Sequence, residues 1–256
     1  MISRITPLFP TKASERRSAF LSSFGIPEEH VKHEFRVKRE ADGSRTGCNV
    51  ACISLCIHCN GPHLEVVSHI VESAYPATVS DALEPNHIED AVLLTPVIET
   101  LDESGDTYPA GSPTDMVISR RAITASLAQV GSEEHESIII RIPKDNLVID
   151  EKSGEIRDWP YLTVEAAGIL HERFQHLRTN APSIEKQHSQ GGMWSHALFF
   201  GINPDRSGDG ECLLEKRTVG ELFHLPEELI DGEYNLLCPF HEVGLDCAIT
   251  LPMLIS

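Results

Sequence analysis

Two short apolar runs, AVLLTPVI at residues 91–98 and ESIIIRI at 136–142, are bounded by turn-forming residues and are too short for ordinary helices. This is the pattern of strands buried in a core. The segment between them, 119–130, reads as a helix. A second helix is predicted over 163–177, with Thr163 in the N-cap position and Val164, Ala167, Leu170, Phe174 and Leu177 recurring three and four residues apart. Strands alternating with helices of this length argue an α/β fold. Beyond the second helix the pattern returns to strands and loops, at 197–202, 212–214 and 234–237. Residues 150–158, centred on Lys152-Ser-Gly-Glu155, have the chemistry of a turn or surface loop. There is no internal repeat.

With 256 residues, 41% hydrophobic and 23% charged, the chain can bury a core of its own. Residues 1–44 are polar and charged, with a helix predicted near 12–23, and read as an arm or cap ahead of one domain over 45–256. A net charge of −18, from 39 acidic against 21 basic residues, repels phosphate backbones and anionic membranes. No nucleic-acid or membrane partner is therefore expected, and a small-molecule substrate is. No stretch approaches the roughly 18 apolar residues of a membrane-spanning helix, and residues 1–10 are too broken for a signal peptide, so a cytoplasmic location is expected. Seven cysteines, an odd number in a chain of this size, predict free thiols rather than disulfides.

The segment Cys59-Asn-Gly-Pro-His-Leu-Glu-Val-Val-Ser-His69 holds the densest chemistry. Its odd-numbered positions share one face if the backbone is extended, which puts Cys59, His63, Glu65 and His69 in one row. Thiolate, imidazole and carboxylate are the ligand types of zinc and related divalent metals. On spacing alone, the polar face of a partly exposed strand explains the row equally well.

This segment resembles the signature of a cyclase family that includes bacterial kynurenine formamidase and isatin hydrolase, whose pattern is His-x-Gly-Thr-His-x-Asp-x-Pro-x-His. Gly61, His63 and His69 stand in register with it. Further along, the 163–177 helix followed by Ala181-Pro-Ser-Ile-Glu185 is similar to the family's helix and Ser-Ile-Asp stretch. Ser195-His-Ala-Leu198 is similar to its second metal histidine, and Cys212-Leu-Leu-Glu215 to its buried glutamate. The resemblance implies a swivelling β/β/α fold and a homodimer or homotetramer. It also implies one or two divalent metal ions, zinc or manganese, held by Cys59, His63, Glu65, His196 and Glu215. The chemistry implied is attack of an activated water on an amide, formamide, imide or lactone carbonyl, with His69 as general base and then acid. Cys59 stands where the family has histidine, Glu65 where it has aspartate, and Val67 where it has proline. These replacements leave open a catalytically degenerate, metal-binding member of the family.

Other candidates carry less. Cys52, Cys56 and Cys59 have the spacing of the three cysteines that hold a four-iron cluster in radical enzymes using S-adenosylmethionine, but residues 51–57 read as an apolar strand rather than a cluster loop. His58 is expected on the opposite face from Cys59. His188 reads as exposed, Ser183 and Ser195 lack a nucleophile-elbow context, and Cys212, Cys238 and Cys247 read as core thiols.

Overall fold

The computed structural model of the chain describes residues 5–9, 18–19, 32–39, 45–54, 57–59, 61–71, 77–131, 134–151, 155–187, 192–202, 216–241, 244 and 246–255, with backbone alone at 18–19, 32–39, 45–54 and 59. Among the described residues, nine strands form the main sheet: β1 (Ile5–Pro7), β2 (His63–Glu65), β3 (Ile88–Leu94), β4 (Ser137–Ile140), β5 (His176–Thr179), β6 (Thr218–Glu221), β7 (Gly232–Leu237), β8 (Cys247–Ile249) and β9 (Met253–Ile255). Their spatial order is β1-β9-β7-β3-β4-β5-β6-β2-β8. The four central strands, β3 to β6, run parallel, and the flanking pairs are antiparallel.

Parallel neighbours need a crossover, and helices supply it. Helix α1 (Arg120–Val130) lies between β3 and β4, α2 (Val164–Arg173) between β4 and β5, and α3 (Trp194–Phe199) between β5 and β6. Ser119 and Thr163 cap α1 and α2 by accepting from the N–H groups of Ala122 and Ala166, at 3.1 Å each. α1 packs on β3 and α2, and α2 packs on α3.

Residues 91–94 and Ile138, Ile139 and Ile140 are at most 1% exposed, as expected of strands covered on both faces. They anchor one continuous core with Leu64, Leu177, Val219 and Leu254. Each such aliphatic side chain contributes about 1.5–3 kcal/mol of burial. Leu8 is also fully buried in this core, next to β1.

Several local expectations are corrected. The predicted 163–177 helix ends at Arg173: Phe174 is extended, and Leu177 belongs to β5. Both are buried, so a strand following directly on a helix imitates continued helical spacing. The strand expected at 197–202 is instead the end of α3 and its exit turn, a short buried run in which periodicity does not separate helix from strand. Ser18–Ala19, within the helix predicted near 12–23, pairs as a strand with Glu155–Asp158, and that second strand also revises the loop reading of 150–158. Lys32–Arg39 and Arg45–Ser54 form an antiparallel pair. Among the described residues no helix is long and apolar enough to cross a membrane.

Candidate metal centre

Strand β2 sits between β6 and β8, and its register determines which side chains meet. Across the β2–β6 pair His63 stands opposite Glu221 and Glu65 opposite Val219; across β2–β8, Glu65 stands opposite Cys247. Directly opposed residues share a sheet face, so His63, Glu65, Glu221 and Cys247 project to the same side. Helix α3 adds His196 from across the face. His63, Glu65, Glu221 and His196 are all at most 3% exposed.

The ring nitrogens of both histidines are assigned by their partners. Nδ1 of His63 lies 2.9 Å from the carbonyl oxygen of Gly61, which can only accept, so Nδ1 donates and Nε2 of the neutral ring is bare. Nδ1 of His196 likewise donates to Glu185 Oε1 at 3.1 Å, and the same oxygen accepts the backbone N–H of His196 at 2.8 Å. Tyr108 donates its hydroxyl to the other oxygen of Glu185. Each bare Nε2 then faces carboxylates. That of His63 is 3.1 Å from Glu65 and 3.8 Å from Glu221, and that of His196 is 3.2 Å from Glu65 and 3.5 Å from Glu221.

Facing lone pairs repel unless a cation lies between them. Ligand atoms about 2.0–2.3 Å from a shared tetrahedral ion are roughly 3.3–3.8 Å from one another, close to the separations seen here. Three buried carboxylates, Glu65, Glu185 and Glu221, have imidazoles as their only ion-pair partners among the described residues. Such a donor set is costly without a positive charge and fits a divalent metal. Without one, a proton fills the place. Burial would lower the pKa of His196, but hydrogen bonds to Glu185, Glu221 and Glu65 hold it well above the ordinary value. Burial would raise Glu65, but the nearby His69 and hydrogen bonds from His196, His58 and His63 hold it well below.

A second, more open lobe adjoins the first. His58 Nδ1 lies 2.5 Å from Glu65 Oε1, and its Nε2 is 3.5 Å from Asp246 Oδ2. His69 Nδ1 donates to Asp246 Oδ2 at 3.0 Å, while its Nε2 is 3.9 Å from Glu65 Oε1. The rings of His58 and His69 lie 4.4 Å apart, centroid to centroid.

The structure thus brings together His63, Glu65 and His196, with His69 at the rim. The Cys59 side chain, Glu215, His188, Cys212, Cys56 and the Cys52 side chain lie outside the described residues. Glu221 is a carboxylate of the centre that sequence reasoning missed. The expectation that His58 faces away from the row is also corrected: Ile57–Cys59 is a 3-10 turn, and Gly61 takes φ +127°, so strand alternation does not run through this stretch. His69 likewise stands on a 3-10 turn, Val67–His69, rather than on a continued strand.

No protein-family model matches the sequence, and no curated protein matches it. Solved structures do share the architecture. An isatin hydrolase bound to the product analogue thioisatinate aligns over 99% of this chain and 92% of its own, with a TM-score of 0.60 and 11% identity. Isatin hydrolase A from Labrenzia aggregata, bound to benzyl benzoate, covers 99% and 93%, with a TM-score of 0.58 and 15% identity. A potential metal-dependent hydrolase with cyclase activity covers 99% and 98%, with a TM-score of 0.58 and 14% identity. The mixed sheet with its packed helices therefore shares its fold with cyclase-like metal-dependent hydrolases.

Proposed function

We propose that the protein is a metal-dependent hydrolase acting on the C–N bond of a small amide, formamide or cyclic imide, or on a lactone, in the manner of an arylformamidase. The observation that carries this reading is the convergence of His63, Glu65, His196 and Glu221, with both imidazoles oriented through Nδ1 so that Nε2 is free to bind. Zinc suits this nitrogen and oxygen set, as does manganese. When bound, such an ion supplies a more acidic water and a Lewis acid for the carbonyl oxygen.

The chain's own groups handle orientation and protons. Glu185 fixes the tautomer and rotation of His196, as the partner of a ligating imidazole does. His69, on the accessible rim, has Nδ1 committed to Asp246 and offers Nε2, which takes a proton from the attacking water and returns it to the leaving nitrogen or oxygen. The buried wall excludes bulk water and strengthens these electrostatic contacts. The substrate is a small molecule, and the working form is a homodimer or homotetramer.

The test is a hydrolysis panel of formanilides, isatins and lactones, run on the purified protein, after chelation, and after return of zinc or manganese. Turnover that disappears with chelator and returns with metal is expected. Metal binding without turnover on any compound would replace the hydrolase reading with a metal-dependent binding role.

A further inference from the structure

We propose that His58, Asp246 and Cys247 form a second metal site, selective for a thiophilic divalent ion such as zinc, beside the His63–Glu65–His196–Glu221 centre. Their ligand atoms lie within 4.8 Å of one another. The register of β2 and β8 explains why: Cys247 stands opposite Glu65, and the N–H of Val66 donates to the carbonyl of Asp246 at 3.1 Å, so the start of β8 is held against β2.

His58 is prepared for a ligand in the same way as the inner histidines. Glu65 accepts from Nδ1; without a metal the proton on Nε2 is held by Asp246 and Cys247, and a metal ion would take that proton's place. The 3.5 Å between Nε2 and Asp246 Oδ2 is long for a good hydrogen bond. It falls within the roughly 3.3–3.8 Å expected between two ligands of one tetrahedral zinc. Cys247 is 3% exposed beside His58 and Asp246, and a cation that takes its proton's place would turn the sulfur into a thiolate ligand. Thiolate, imidazole and carboxylate together favour zinc over magnesium or calcium.

The ligand supply also differs from that of the inner centre, which presents no sulfur among its described ligands. Because Asp246 also accepts from Nδ1 of His69, an ion here sets the position of the rim imidazole without joining the carbonyl chemistry. This inference goes beyond the hydrolase reading, and either can fail without the other.

The experiment uses the full chain, freed of metal by chelation and titrated with cobalt(II) as a spectroscopic probe. A thiolate-to-cobalt charge-transfer band in the near ultraviolet is expected. It should vanish in Cys247→Ser, persist in Cys59→Ser and Glu221→Ala, and require at least about tenfold more cobalt in His58→Ala. The His58 side chain is 27% exposed, so His58→Ala keeps the test open if Cys247→Ser does not fold. A missing band, a band that survives Cys247→Ser, or one that His58→Ala leaves unmoved would overturn the proposal. Turnover without the band would sink this inference alone, and the band without turnover would sink the hydrolase reading alone.

Discussion

Glu221 stands directly opposite His63 across the β2–β6 pair, so a residue near the end of one strand completes a cluster begun on another. If Glu221 is a ligand, Glu221→Ala should weaken metal binding by at least about 10–100-fold, and Glu215→Ala should change it little. Titration of the metal-free protein with zinc checks this. The reverse ranking would return the role to Glu215.

Under the proposed function Glu185 would act through His196, whose backbone N–H and Nδ1 it accepts from, rather than on a substrate. Glu185→Gln keeps the volume but loses the charge that the imidazole's Nδ1–H meets, and should cost about 10–100-fold in metal affinity. Tyr108→Phe removes one donor to the same carboxylate and should have a smaller effect in the same direction. Equal affinities for wild type and Glu185→Gln would refute the positioning role.

His69→Ala should reduce turnover about 10²–10⁴-fold while the metal content stays unchanged. Loss of metal along with activity would make His69 a ligand instead.

These assignments were only partly legible in the sequence. His63 and Glu65 follow from alternation because β2 is a true strand, and His196 followed from the family resemblance. Glu221 could have been suspected, since a lone carboxylate in the apolar run TVGELF demands a partner. Asp246 and Cys247 could not: nothing local reveals that β8 will be laid beside β2. The strand Lys32–Arg39 is not legible either, because its alternation, KHEFRVKR, is hidden under charge.

Metal-free protein should show a distinctive pH profile. Glu65 is held well below its ordinary 4.5, so its contribution to stability is present above that value and lost as pH falls through the folded one. His196 is held well above 6.5, so its contribution is complete below 6.5 and lost as pH rises through the folded value. Without metal, Tm should therefore be greatest between about pH 4.5 and 6.5 and decline above it, and bound zinc should remove that decline. Thermal melts with and without chelator decide the matter. A metal-free Tm that climbs steadily above pH 6.5 would contradict it.

Away from the centre, Arg178 and Glu89 are both fully buried and joined by two 2.9 Å hydrogen bonds. Glu89→Ala leaves an unpaired guanidinium in the core and should cost about 3–5 kcal/mol. Chemical denaturation would measure this, and a loss under about 1 kcal/mol would show that solvent reaches the site.

The position of β2 between β6 and β8 also governs when the site can exist. His69 and Asp246 are 177 positions apart, and Glu65 and His196 are 131 apart. During synthesis, the first histidines leave the ribosome long before their partners are made. They cannot form this centre until α3 and β6 have been made and β6 has paired with the early β2. Metal uptake at the His63–Glu65–His196–Glu221 centre would thus wait for late elements, and a truncation that removes β6 and all that follows it should abolish it.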